Sequence, residues 1–226
     1  MSLAKRFGQG LAPRITNAAP QATAGFVHTA LDRAIKGVGP LDGAAAAAEK
    51  QLAEQDGNVD KAIREVIENN VRLAGAQGFV TNIGGLVTMA VTVPTNITGL
   101  ALIQCRMVAG IVHLRGYDLD DKRTRNAILA SVLGEERLLA LVKKKKLPGT
   151  PMAIATAPVH DPQLDTVTAN EVASELITKV AGKRIATTVG RRVPVVGGVF
   201  GAGADAYGTW HVGRYADREL LPRTLR

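Results

Sequence analysis

The feature that most constrains the fold is a long stretch, from Leu73 to Gln104, in which no side chain carries a formal charge. A helix needs roughly 20 apolar residues to cross a bilayer core, and this stretch is longer. Pro94 interrupts it, because proline lacks an N–H group and clashes with the preceding helical turn. The pattern predicts two apolar helices over about residues 73–114 that meet near residues 93–96. This hairpin is either buried in a soluble core or inserted into a membrane.

Apolar residues recur with the helical period on both sides of this stretch. Before it, an apolar stripe over residues 59–67 follows Asn58, which is a predicted N-cap. After it, the second helix of the hairpin is expected to end near Leu114, with Gly116 as the stop signal. Almost no segment alternates with the period of two that is typical of strands. We therefore predict an all-α fold, a compact multi-helix domain without significant sheet.

The C-terminal segment is apolar and rich in glycine. Gly197 and Gly201 lie four residues apart, as do Ala204 and Gly208, a spacing that lets two helix backbones approach closely. We predict a second apolar hairpin over residues 193–215. The glycines follow the order G-G-x-x-G-x-G and no Lys-Ser/Thr pair follows them, so the segment does not match a nucleotide-binding loop.

The chain divides into two predicted parts. Residues 1–20 are expected to form an N-terminal arm, since Lys5 and Arg6 are not followed by the apolar core of a secretory signal. Residues 21–226 are expected to form one helical domain. Within it, residues 147–164 contain four prolines and are predicted to be an irregular connection, Pro148, Pro151, Pro158 and Pro162.

Composition excludes several classes of protein. A single cysteine excludes a disulfide framework and a multi-thiolate metal site, and favours a reduced, cytoplasmic protein. The four histidines are far apart in sequence, and Cys105 has no recognisable activating base. We therefore expect no catalytic residues, no cofactor and no metal. An enzyme of unrecognised chemistry would require titratable groups that cluster in a pocket.

The formal net charge is +8, and the basic residues are the main candidates for a binding site. They are Lys143, Lys144, Lys145, Lys146, Lys183, Arg184, Arg191 and Arg192. Such clusters suit anionic lipid headgroups, but they can also be an ordinary solvated face. Nucleic acid is not expected, because no nucleic-acid-binding motif is present and aromatic residues are scarce. The apolar candidates for lipid contact are Phe79, Leu86 and Met89.

Two charged residues lie within apolar helices, where an isolated charge is costly. They are Arg106 and Asp205. We predict a structural ion pair between them that joins the two hairpins. In the functional version of this hypothesis, the pair marks a polar spot in a lipid-lined groove.

The chain resembles the EcsC family of bacterial proteins in three blocks. They are the small-residue block over residues 74–94, the run from Arg106 to Asp118, and a terminal block over residues 183–218 with the sequence VPVVGG after a basic helix. The residues that carry the family motifs are Arg106, Tyr117, Pro194, Gly197, Gly198 and Asp205.

The resemblance implies an α-helical domain that is not known to be an enzyme and whose relatives are associated with bacterial membranes. Our leading hypothesis is a non-catalytic, cytoplasmic protein that is peripherally associated with the membrane. Its basic residues and apolar hairpins would engage anionic phospholipid. The alternative is a soluble interaction or scaffold module, a homo-oligomer or a binder of another protein, whose hairpins are only core.

Overall fold

The computed structural model describes residues 19–83, 92–189 and 194–223, with side chains over 25–76, 99–179 and 203–223. These residues form nine helices and one two-stranded antiparallel ribbon, which confirms the predicted all-α fold. In chain order the elements are α1 Ala19–Lys36, β1 Gly37–Val38, β2 Leu41–Asp42, α2 Ala44–Glu54, α3 Val59–Ile83, α4 Thr92–Leu114, α5 Lys122–Val132, α6 Glu135–Lys143, α7 Pro151–Ala155, α8 Pro162–Val189 and α9 Pro194–Glu219.

Helix α4 is the centre of the fold. It contacts α1, α2, α3, α5, α8 and α9, and its residues from Ala101 to Val112 are almost all buried. A helix that is apolar around its whole circumference is stable only when other elements surround it, which explains this position. Residues 100–104 of the uncharged stretch, in α4, therefore belong to the core, whereas Leu73 and Ala76 of α3 are exposed. Among the described residues, no helix is long and apolar enough to span a membrane.

The two helices of the predicted hairpin are present, but their boundary differs from the prediction. Helix α3 ends at Ile83 and α4 begins at Thr92, so Pro94 lies in the first turn of α4. Proline is tolerated there, because the N–H groups of a first turn have no partner within the helix. The predicted stop signal is confirmed, since α4 ends at Leu114 and Gly116 has a φ of +80°.

The C-terminal segment corrects a second prediction, because residues 194–219 form the single helix α9 rather than a hairpin. Helix α9 packs along α3 and also contacts α4. Gly197 and Gly201 lie outside the residues whose side-chain surroundings are described. Among the described glycines of α9, the close approach occurs at Gly213, where an added Cβ would lie 2.9 Å from Met107 Sδ and 3.0 Å from two Ile67 side-chain carbons. At Gly208, part of the predicted small-residue pair, a Cβ would have no neighbour within 4 Å among the described residues.

The proline-rich connection is partly helical. Pro151 and Pro162 begin the helices α7 and α8, consistent with the preference for proline at the first helical position. Within this connection, residues 147–150 and 156–161 form turns and irregular structure. Most of the predicted N-terminal arm, residues 1–18, lies outside the part of the chain that is described.

Candidate functional site

A groove of about 490 Å³ lies between α2 and α3, beside Arg106 of α4. Its apolar wall consists mainly of small side chains, Ala44, Ala47, Ala48, Val66, Leu73 and Ala76. Among the described residues, its polar lining contains three cations, one carboxylate and three amides, Lys50, Arg72, Arg106, Asp42, Gln51, Asn69 and Asn70. The groove therefore combines positive charge with apolar surface.

Arg106 connects three elements at this groove. Its Nε donates to the main-chain oxygen of Asp42 at 2.9 Å, and its Nη1 donates to Asn70 Oδ1 at 3.1 Å. Both acceptors are neutral groups. Burial lowers the pKa of Arg106, and the charge of the Asp42 carboxylate partly offsets this effect. The guanidinium is thus held in place without direct neutralisation by a carboxylate among the described residues.

The predicted ion pair between Arg106 and Asp205 is not formed. Asp205 is buried on α9, where it interacts with another group, and it makes no salt bridge with Arg106. Arg106 instead donates hydrogen bonds to oxygens of β2 and α3. Its partner Asn70 was not predicted, although it lies seven residues after Ile63 on the same buried face. A polar residue within an apolar helical stripe is the signal that identifies such a buried partner.

The lysine run follows α6 and is exposed throughout. Lys143 is the last residue of α6, and Lys144, Lys145 and Lys146 form the turn after it, where the helix dipole favours cations. Lys146 Nζ lies 2.8 Å from a carboxylate oxygen of Glu171. Among the described residues, the other three lysines form no ion pair. Their charges are therefore directed to solvent.

Several predicted site residues cannot be assigned to a site. Arg191, Arg192, Leu86 and Met89 lie outside the described residues. Five more lie in described helices, but their side chains are outside the described set: Phe79 in α3, Lys183 and Arg184 in α8, and Gly197 and Gly198 in α9. Pro194 begins α9, as expected of a proline at the start of a helix.

Tyr117 has a structural role. Its hydroxyl donates to the main-chain oxygen of Leu221 at 2.8 Å and lies 2.9 Å from Met152 Sδ. The guanidinium carbon of Arg223 lies 5.6 Å from the centre of its ring, a cation–π distance. Burial raises the pKa of Tyr117. Tyr117, in the turn after α4, therefore contacts both the segment 221–223 and α7.

Helix α9 carries an exposed aromatic face that was not among the predicted site residues. Tyr207 is 66% exposed and Trp210, the only tryptophan of the chain, is 44% exposed. The ring of His211 contacts both, with centroid distances of 4.3 Å to Tyr207 and 5.0 Å to Trp210. The return of aromatic residues at helical spacing after the glycine-rich block was the sequence signal for this face.

The described residues offer little for nucleophilic or metal chemistry. Burial raises the pKa of the Cys105 thiol to about 12, although the charge of Arg125 acts in the opposite direction. At neutral pH this thiol is therefore protonated and a poor nucleophile. No group of three or more His, Cys, Asp or Glu side chains among the described residues could hold a metal ion. His113 and His160 instead contact Glu49 and Asp165, at 2.7 and 2.8 Å.

Comparison with known proteins gives one match. The model of the EcsC protein family matches residues 1–225, which is nearly the whole chain. Neither a curated protein nor a solved structure matches it.

Proposed function

Because the chain belongs to the EcsC protein family, we propose that it is a non-catalytic, lipid-binding protein that associates peripherally with the cytoplasmic face of a membrane. The observation that carries the proposal is the run of three exposed lysines, Lys143, Lys144 and Lys145, without acidic partners among the described residues. The partner of this run is the anionic phospholipid surface.

The physical basis is the attraction between clustered cations and anionic headgroups. Each lysine near such a surface contributes about 1 kcal/mol, and the attraction decays within a Debye length of about 10 Å at 0.1 M salt. Three adjacent exposed lysines can therefore contribute about 3 kcal/mol. The three lysines are consecutive and exposed, with Lys143 the last residue of α6 and the other two in the turn after it.

The aromatic face of α9 supports a second contact. Tyrosine and tryptophan combine an apolar ring with a polar tip, which suits the boundary between headgroups and acyl chains. The exposed Tyr207 and Trp210 have this chemistry. Phe79, Leu86 and Met89 remain proposed apolar contacts of the same membrane.

Flotation of the intact protein with vesicles tests this function. We expect binding to vesicles that contain phosphatidylglycerol, little binding to pure phosphatidylcholine, and release as salt rises from about 0.05 M to about 0.5 M. Equal binding to both vesicle types, or no binding to anionic vesicles at low salt, would refute the proposal.

The aromatic face also favours a second candidate, a soluble interaction module. Tyrosine and tryptophan are enriched in protein interfaces, and Tyr207 and Trp210 lie on one exposed helix surface. A stable oligomer in analytical ultracentrifugation, together with no vesicle binding, would favour this candidate. Substitution of Trp210 by alanine should then dissociate the oligomer.

A further inference from the structure

We propose that the groove between α2 and α3 binds the phosphate group of a phosphoester, with Arg106 as the central contact and Lys50 and Arg72 at its rim. The inference goes beyond membrane attachment through Lys143, Lys144 and Lys145, because the groove is lined by different residues. It can be tested without any membrane surface.

The first argument is the state of Arg106. Two of its nitrogen atoms already donate to fixed neutral oxygens, of Asp42 and Asn70, so the guanidinium is oriented before a ligand arrives. Nη2 has no hydrogen-bond partner among the described residues. A planar guanidinium whose remaining N–H groups are available for hydrogen bonds matches phosphate geometry better than an ammonium group does.

The second argument is the charge around Arg106. Lys50 and Arg72 are exposed and line the same groove, whereas Asp42 is its only carboxylate among the described lining residues. Arg72 pairs with Glu68 at 2.9 Å, on an exposed part of α3. Lys50 forms no ion pair with the described residues. The groove thus retains a positive charge that an anion would complement.

The third argument is the shape and lining of the groove. A volume of about 490 Å³ falls in the range of about 300–1,000 Å³ that is typical of small-molecule sites. The amides of Gln51 and Asn69 add neutral hydrogen-bonding groups, and the alanine side chains of α2 leave space beside them. A phosphate with a short polar or apolar substituent fits this combination, whether it belongs to a lipid headgroup or to a soluble ester.

Isothermal titration calorimetry with the full chain tests the site. The two probes are dihexanoyl phosphatidylglycerol below its critical micelle concentration and glycerophosphoglycerol, the same headgroup without acyl chains. We expect measurable binding of at least the lipid. Tighter binding of the lipid would identify a lipid headgroup site, and equal binding would identify a soluble phosphoester site. No heat from either probe at millimolar concentration would overturn the proposal.

Two sets of variants locate the binding. Arg106→Met should weaken it by about 10- to 100-fold, the loss expected for charge-assisted hydrogen bonds. Because Arg106 also connects β2, α3 and α4, this variant can lose stability. The rim variant Lys50→Gln/Arg72→Gln changes only exposed side chains and should weaken binding roughly tenfold.

The matched control removes the same charge from an exposed part of α3 that does not line the groove, as Lys61→Gln/Arg64→Gln. It should bind both probes like the unmodified protein. Equal weakening in the rim and control variants would show a general charge effect, and would overturn the assignment of the site to the groove.

Discussion

Gly213 gives the sharpest test of the packing between α9 and the central helices. An alanine there would place its Cβ 2.9 Å from Met107 Sδ and 3.0 Å from two carbons of Ile67, and both of these side chains are buried. Overpacking of this kind costs about 1–3 kcal/mol. Alanine in place of glycine in a helix returns about 0.5–1 kcal/mol, so we expect a net loss of about 0–2.5 kcal/mol in the free energy of unfolding.

Gly208→Ala is the matched control on the same helix. Its Cβ would have no neighbour within 4 Å in the described part of the chain, so only the helix-propensity gain should appear, about 0.5–1 kcal/mol of stabilisation. The propensity effect cancels between the two variants, and the difference of about 1–3 kcal/mol isolates overpacking at Gly213. Urea unfolding followed by circular dichroism measures both values. Equal stabilisation by the two substitutions would refute close packing at Gly213.

Three further predictions follow from single residues. Asp121 accepts a hydrogen bond from the Arg123 main-chain N–H at the start of α5, so Asp121→Ala should cost about 1 kcal/mol at pH 7. The side-chain hydrogen bond from Arg123 lowers the pKa of Asp121 below 3.8. The stabilisation by Asp121 should therefore be complete above pH 3.8 and lost as pH falls through the lowered pKa. If the unmodified protein and Asp121→Ala differed in the free energy of unfolding by the same amount throughout an acid titration, this prediction would be contradicted. Cys105 should react with iodoacetamide at pH 8 only after unfolding, as mass spectrometry would show, and rapid labelling of native protein would contradict its burial. Trp210 fluorescence should shift to shorter wavelength with anionic vesicles but not with zwitterionic ones, and an unchanged spectrum would exclude α9 from the membrane contact.

Local signals in the sequence predict much of the fold. Asn58 accepts a hydrogen bond from the Lys61 N–H at 3.0 Å, as expected of an N-cap, and Gly116 ends α4 with a positive φ. The absence of charge over the first half of α4 indicates a helix that other elements cover on all sides, and this helix is the centre of the core. These features depend on neighbouring residues only, and they are therefore visible in a sequence.

Features that depend on distant parts of the chain were harder to predict. The sequence placed the helix break at Pro94, but proline is equally compatible with a first helical turn, where the structure has it. Glycine spacing predicts a close approach at Ala204 and Gly208, whereas among the described glycines of α9 the neighbours that α3 and α4 provide place it at Gly213. A charged residue within an apolar helix indicates that Arg106 needs a buried polar partner. Its partners, however, come from β2 and α3, which only the fold brings next to it.

The most direct test of the proposed membrane contact compares two triple variants in titrations with anionic vesicles. Lys143→Gln/Lys144→Gln/Lys145→Gln removes the lysine run, and Lys36→Gln/Lys61→Gln/Lys122→Gln removes the same charge from exposed positions elsewhere. At about 1 kcal/mol per lysine, we expect the first variant to lose about 100-fold in affinity and the second to lose little. Equal losses in both variants, or full binding without the lysine run, would contradict the assignment of the membrane contact to the turn after α6.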